Sequence, residues 1–288
     1  MKINVLTLFP EMFTPVTEAS ILGRAVEKGI LDINLVNIRD YTLDKHRKTD
    51  DTPFGGGPGM VMSAQPIFDA LRSLSGEPAN KVVASDDVST STDEVTPVSN
   101  SQNRIIYMSP RGKILDQEKI EELAAAPELT ILCGHYEGVD QRVLDAWNME
   151  EISIGDYILT GGELAAMVLI DSVSRFIPEV LGSEESATEE SIYSGLLEFD
   201  QYTKPREYDG LAVPEVLFGG NHQEIHLWQY ERSLALTKER RPDLFAAYLE
   251  KLGIAEGTQA LGKKDAPTLS KQEKQILEKF LGELSAAG

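Results

Sequence analysis

Large aliphatic side chains dominate Ile3-Asn4-Val5-Leu6-Thr7-Leu8-Phe9, and such a run predicts a buried strand over 2–9. Helical periodicity follows over about 17–28, and Leu31 to Ile38 reads as a second strand. A polar stretch from Arg39 to Thr52 then runs into Pro53-Phe54-Gly55-Gly56-Gly57-Pro58-Gly59, where repeated glycine and proline predict a loop of unusual backbone geometry. A helix is expected from about Ala64 to Leu74. From 104 to about 180 strands alternate with helices near 116–126, 138–146 and 162–176, with Asp116 as N-cap of the first. This alternation predicts an α/β fold with a parallel sheet covered by helices.

Two stretches lack a core pattern. Residues 76–103 are rich in Ser, Thr, Asp, Asn and Pro, so most of them are expected to form a flexible surface insertion, with a short strand at Lys81-Val82-Val83-Ala84. Around 182–200 the composition shifts to Gly, Ser, Thr and Glu, a linker signal. Beyond it, Asn221 to Lys238 and Asp243 to Leu252 read as helices split by Arg241-Pro242. Ser270-Lys271-Gln272-Glu273 is a capping-box pattern that announces a last helix. The C-terminal part is therefore expected to be a small α-helical domain.

At 288 residues, 41% hydrophobic and 26% charged, the chain has the composition of an ordinary soluble protein of two domains. The opening apolar run is too short for a signal peptide, and nothing approaches the roughly 20 residues of a spanning helix. The single cysteine, Cys133, excludes an internal disulfide and suits a reducing compartment, so a cytoplasmic protein with no membrane partner is expected. A net charge of −20 argues against a bulk nucleic-acid binder. The distribution softens that exclusion. Arg39, Lys45, Arg47 and Lys48 precede the glycine loop, and Lys204, Arg206, Arg232, Lys238, Arg240 and Arg241 punctuate the C-terminal third. A locally basic groove on an acidic body remains open, with salt-sensitive binding.

Candidate chemistry gathers at three glycine-marked turns that follow apolar strands: Ser109-Pro110-Arg111-Gly112, Cys133-Gly134-His135-Tyr136-Glu137-Gly138, and Ser153 through Glu163 with its Gly161-Gly162 pair. Glycine lets a ligand approach the main chain closely, so the three suggest one composite cleft at the strand ends. The 55–59 loop lacks the Gly-Lys-Ser/Thr ending of a nucleotide-binding P-loop, and no GxGxxG follows a strand. His222 and His226 have metal-capable spacing without an HExxH or cysteine partner. Asp171 and Arg175 fit a helix ion pair as readily as a catalytic dyad, and Glu137 and Asp140 fit a helix cap or a substrate contact.

In combination these segments closely resemble the bacterial tRNA (guanine-N(1)-)-methyltransferases of the SPOUT, or trefoil-knot, class. The resemblance rests on Tyr107 through Gly112, Cys133 through Asp140, Ser153 through Glu163 and Asp171 through Pro178. Leu8 through Phe13, Asp50 through Met60, Gly195-Leu196-Leu197, Tyr202 through Pro205 and Gly219 through His222 match as well, in order, from residue 1 to about 252. It implies a parallel sheet with a deep trefoil knot over 1–181, a linker over 182–190 and a helical tRNA-binding domain over 191–288, while the acidic insertion near 85–102 departs from the family's usual length. It also implies S-adenosylmethionine held by Tyr107, Met108, Ser109, Pro110, Gly134, Ser153, Ile154, Gly155, Tyr157, Ile158, Leu159, Gly161 and Gly162. Ala165 stands where the family commonly has a proline.

Guanine N(1) carries a proton at neutral pH, so methylation needs a base to remove it and a cation to balance charge at the guanine oxygen. The resemblance gives the cation to Arg175 and the base to Glu190, where the family has aspartate; Asp171 is the alternative base. Glu137 is assigned to the target base or, together with Glu190, to a Mg²⁺ ion. The implied substrate is a tRNA whose guanosine immediately 3′ of the anticodon follows another guanosine, with Arg24, His46, Gly57, Gly59, Asn221 and His222 among its contacts. The active site is expected at the interface of a homodimer. A relative acting on rRNA or a ribose hydroxyl, and a non-catalytic RNA binder, are the alternatives that product mapping and turnover separate.

Overall fold

The computed structural model describes residues 1–76, 103–181, 195–254 and 268–287. The expectations for the insertion at 85–102, the short strand at 81–84, the linker at 182–190 and Glu190 lie outside the described residues. The chain divides into two compact units, Met1–Glu184 and Glu185–Gly288.

In the first unit, β1 (Lys2–Thr7) leads through a 3₁₀ turn into α1 (Thr14–Thr17) and α2 (Ser20–Glu27), then β2 (Asp32–Asn37). The helix expected over 17–28 is thus two pieces. Ser20 breaks it with φ +56, a left-handed conformation that periodicity does not register. β1 also ends before the expected residue 9, because Pro10 starts the 3₁₀ turn. Two short strands, β3 (Asp50–Asp51) and β4 (Val61–Met62), pair antiparallel and bracket the glycine loop. The rest alternates: α3 (Ala64–Ser75), β5 (Asn103–Ile114), α4 (Gln117–Ala124), β6 (Glu128–Cys133), α5 (Gln141–Ala146), β7 (Glu150–Ser153) and α6 (Glu163–Ser174). Asp116 caps α4 by accepting from the Lys119 N–H at 3.0 Å.

The strands form one five-stranded sheet in the order β2-β1-β6-β5-β7, with parallel pairing throughout. Period-two alternation sorts its side chains into two cores. Ile3, Val5, Ile106, Met108, Leu129, Ile131 and Cys133 face α2, α4 and α6. Leu6, Tyr107 and Leu132 face α3 and α5. Leu129, Ile131, Ile106 and Ile170 are fully buried, each contributing about 1.5–3 kcal/mol over exposure. Asn4 is one of several buried polar side chains in the sheet; its amide donates to Glu128 Oε1 at 2.7 Å and its side-chain carbonyl accepts from Asn34 at 3.1 Å.

One expected junction takes a different form. Ser109–Gly112 does not end β5. Pairing with β7 breaks after Met108 and resumes at Lys113, both residues standing opposite Ile152. The intervening residues bulge out of the sheet.

The second unit carries a two-residue hairpin, β8 (Glu207–Tyr208) and β9 (Leu211–Ala212), then α7 (His222–Arg240), α8 (Pro242–Lys251) and α9 (Lys271–Ala287). The hairpin, absent from a purely helical reading, turns on Asp209 and Gly210 at φ +51 and +77. The capping box is present: the Ser270 N–H donates to Glu273 Oε2 at 2.7 Å, and the Glu273 N–H to Ser270 Oγ at 3.2 Å. Leu196, Tyr230, Leu234, Phe245, Tyr248 and Leu277 form this unit's own core.

Candidate active site

The carboxyl ends of β5, β6 and β7 converge on one side of the sheet, where open α/β sheets place their ligands. A cavity of about 280 Å³ opens there, and all three glycine turns line it. Tyr107, Met108, Ser109 and Pro110 come from β5 and its bulge, Gly134 from the turn after β6, and Ser153, Ile154, Gly155, Tyr157, Ile158, Leu159, Gly161 and Gly162 from the segment between β7 and α6. Every residue given to the cofactor on sequence grounds thus meets in one place. Ile152, His135, Tyr136, Glu137, Thr160 and Ala165 also line it.

Local chemistry explains why the walls stand where they do. The β5 bulge is stitched to β7 by Ser109 Oγ donating to Glu151 Oε2 at 2.6 Å, and by Arg111 donating to the same carboxylate at 3.1 and 3.2 Å. Ser153 Oγ closes the turn after β7, accepting from the Gly155 N–H at 3.2 Å and donating to the Gly155 carbonyl at 3.0 Å. The Gly162 N–H donates to the Gly134 carbonyl at 2.9 Å, joining the second and third turns. A Cβ on Gly162 would stand 2.8 Å from Cys133 Cα, so only glycine lets α6 start this close to β6. Burial raises the Tyr107 phenol's pKa, with the nearby Glu151 adding to it, so the ring presents a neutral hydroxyl. Burial and Glu163 push the Cys133 thiol well up, which removes it as a nucleophile.

The proposed substrate contacts are distributed unevenly. Glu137 is the one carboxylate among the described residues on the cavity wall, and its side chain lies over Gly59, where a Cβ would stand 2.3 Å from its Oε1. Gly59 itself sits at φ +86. The Glu137 N–H donates to the Met60 carbonyl at 3.0 Å, fixing the glycine loop beside the cavity mouth. Gly57 and His46 are exposed, and Arg24 is exposed on α2; none of the three lines the cavity. Asn221 and His222 are exposed in the second unit, where Asn221 caps α7 by accepting from the Gln223 and Glu224 N–H groups. His226 Nε2 stands 3.1 Å from Glu273 Oε1.

Arg175 closes the far end of α6. At 1.5 Å per residue, α6 carries it roughly 15–20 Å along the axis from Ala165 and Gly162, which line the cavity. Within one chain, then, the arginine and the cavity stand apart. No group of three or more His, Cys, Asp or Glu suited to a metal ion gathers among the described residues.

Sequence reasoning missed Thr7, His135 and Glu163, which interlock at the cavity wall, His135 within the lining and the other two behind it. Glu163 is buried, accepts from Thr7 Oγ1 at 2.6 Å, and stands 2.8 and 2.9 Å from His135 Nε2. A signal was available: Glu163 is the lone acid at the head of the apolar run Leu164-Ala165-Ala166-Met167-Val168-Leu169-Ile170, and a carboxylate buried there needs partners.

A family model described as tRNA (Guanine-1)-methyltransferase TrmD matches residues 1–247. The chain is 51% identical over 245 residues to the tRNA (guanine-N(1)-)-methyltransferase of Ruminiclostridium cellulolyticum, covering 85% of this chain and 96% of the relative. The protein of the same name from Alkaliphilus metalliredigens is 48% identical over 266 residues, 92% of this chain and 99% of the relative. That from Clostridioides difficile is 45% identical over 251 residues, 87% and 100%.

Proposed function

The chain belongs to the tRNA (guanine-1)-methyltransferase family, and from that premise we propose that it transfers a methyl group from S-adenosylmethionine to N(1) of the guanosine immediately 3′ of the tRNA anticodon. The observation that carries this reading is the single cavity built by all three glycine turns.

The cavity suits the donor. Its size lies near the lower end for small-molecule sites, Ile152, Ile154 and Leu159 offer an apolar slot, and the glycine turns leave main-chain N–H and C=O groups within reach of a ligand. When bound, S-adenosylmethionine supplies an electrophilic methyl on a sulfonium. The deep trefoil knot is the family's expectation for the chain path around these turns, which the close packing at Gly162 accommodates.

For the acceptor, Glu190 removes the N(1) proton and Arg175 balances the charge at the guanine oxygen. Glu137, at the cavity mouth, orients the base or, with Glu190, holds Mg²⁺; one or two carboxylates suffice for that ion when water and substrate oxygens complete its shell. Arg24, His46, Gly57, Gly59, Asn221 and His222 contact the RNA, and the helical C-terminal unit contributes to holding it. Because Arg175 stands roughly 15–20 Å along α6 from the lining residues of its own chain's cavity, the complete site draws on two copies. An exposed apolar stripe supports that arrangement: Leu164 and Val168 on α6 are 51% and 45% exposed, and Ile158 is 79%. No helix among the described residues is long and apolar enough to cross a membrane, which accords with a cytoplasmic enzyme.

The test is methyl transfer to a tRNA transcript carrying guanosine, or adenosine, immediately 3′ of the anticodon. Transfer to the first and not the second is expected. Equal transfer to both would overturn the assignment of the target base.

A further inference from the structure

Beneath the cavity, three segments far apart in sequence meet at one carboxylate. Thr7 ends β1, His135 follows β6, and Glu163 opens α6. Glu163 is 1% exposed and Thr7 fully buried. Thr7 Oγ1 donates to Glu163 Oε1 at 2.6 Å and itself accepts from the Phe9 N–H at 2.9 Å. His135 Nε2 stands 2.8 Å from Glu163 Oε2, and its ring packs against Phe9 with centroids 5.0 Å apart. Gly161 leaves room for this contact: a Cβ there would stand 2.3 Å from His135 Cε1 and 2.6 Å from Glu163 Oε2 and would push the two side-chain ends aside.

His135 is thus a peg between the second and third glycine turns. Its own main chain is held too, since its N–H points at Met62 Sδ at 3.2 Å and its carbonyl accepts from the Gly138 N–H at 3.2 Å. His135 itself lines the cavity, beside Gly134 and Glu137 and across from Gly161-Gly162, while its partners Thr7 and Glu163 stand behind the lining. A carboxylate is favoured at the start of α6 by the helix dipole, and each of its oxygens has a polar partner there, Thr7 Oγ1 on one and His135 Nε2 on the other. Burial gives the carboxylate no role in touching a ligand.

We propose that His135 and Glu163, braced by Thr7, are a positioning pair that fixes the spacing of the second and third glycine turns, and thereby the affinity of the cavity for S-adenosylmethionine. The inference rests on the reading of that cavity as the methyl-donor site. Substituting the pair changes donor binding while leaving the transfer step intact, because neither side chain is assigned to the guanine, the proton or the tRNA.

Four full-length proteins decide the matter: wild type, His135→Leu, His135→Gln and Thr7→Val. The leucine keeps bulk against Phe9 but cannot donate to Glu163; the glutamine amide reaches about as far as the imidazole nitrogen and can. Titration calorimetry with S-adenosylmethionine reads affinity, and methyl transfer to tRNA at saturating donor reads kcat. For His135→Leu, Kd and KM for the donor are expected to rise on the order of tenfold, as a sub-ångström loss of positioning does. Thr7→Val, whose side chain is outside the cavity lining, keeps kcat and the KM for tRNA within about twofold. His135→Gln recovers most of the affinity, and Thr7→Val shows a smaller change in the same direction, which serves if His135→Leu does not fold. A merely structural role would lower the melting temperature and leave donor Kd unchanged in the cold, and that result overturns the proposal. If wild type binds the donor and every variant binds it equally, the pair alone is refuted; if wild type binds none, the reading of the cavity falls as well.

Discussion

Gly162→Ala isolates close approach from backbone strain. The residue has φ −79, which alanine adopts freely, so the only penalty comes from what its methyl meets. That methyl would stand 2.8 Å from Cys133 Cα and 2.9 Å from the Gly134 nitrogen, roughly 0.6 Å inside the 3.4 Å at which ordinary contact begins. Both neighbours are main chain. One belongs to the buried strand β6, and the Gly162–Gly134 hydrogen bond of 2.9 Å spans the same gap. The turn must therefore move as a unit, and overpacking of this kind costs about 1–3 kcal/mol. Calorimetric melting should fall by roughly 2–4 °C for each kcal/mol in a unit of this size. The same displacement shifts one wall of the cavity, so the Kd for S-adenosylhomocysteine should rise on the order of tenfold. Gly219→Ala is the control: its φ is −68 and its nearest outside atom would be 3.6 Å away, so melting and binding should not change. A Gly162→Ala protein that melts within about 1 °C of wild type and binds equally would refute the packing argument.

Further outcomes follow from other parts of the chain. Arg175→Ala should lower methyl transfer on the order of a hundredfold or more while preserving donor affinity by calorimetry, since Arg175 lies across α6 from its own chain's cavity. Mixed with Gly162→Ala subunits under exchange, and assayed at donor well below the Gly162→Ala Kd, it should regain about a quarter of sites with wild-type donor affinity if two copies share each site; no recovery would contradict the two-copy site. Glu122, hydrogen-bonded to Lys119 and Arg104, has its pKa lowered from 4.5 to about 2, so its contribution to stability is complete above 4.5 and lost as pH falls towards 2. Denaturant melts should show Glu122→Gln losing less stability than wild type over that window. Asn221→Ala removes the acceptor for two N–H groups at the head of α7 and should cost the second unit about 1 kcal/mol, read by its far-ultraviolet melt.

The parts legible in sequence were those with local causes. Apolar runs at Ile3–Leu6 and Leu129–Leu132 marked buried parallel strands, and Asp116 and Ser270-Glu273 marked helix starts by their own hydrogen bonds. The lining of the cavity was legible through whole motifs, because the residues of each glycine turn are contiguous in sequence, as Ser153 and Gly155 are, whereas the bonds that join the turns to one another and to β7 are long-range. What escaped depended on distant chain. Met108 and Lys113 share one partner residue on β7, a register that nothing in residues 103–114 specifies. His135 and Glu163 are 28 residues apart and Thr7 is 156 from Glu163, so neither pairing had a periodic signature. The Asp209-Gly210 hairpin had a local signal, but its flanking strands are two residues each and carry no alternation to reinforce it.

The central claim is the identity of the methylated atom. The decisive measurement is digestion and mass-resolved nucleoside analysis of a tRNA transcript after incubation with the protein and S-adenosylmethionine, with the modified position mapped by primer extension. One 1-methylguanosine immediately 3′ of the anticodon is predicted, and it should be lost with Arg175→Ala. A methylated ribose, a different base or position, or no product at enzyme equal to substrate would contradict the account.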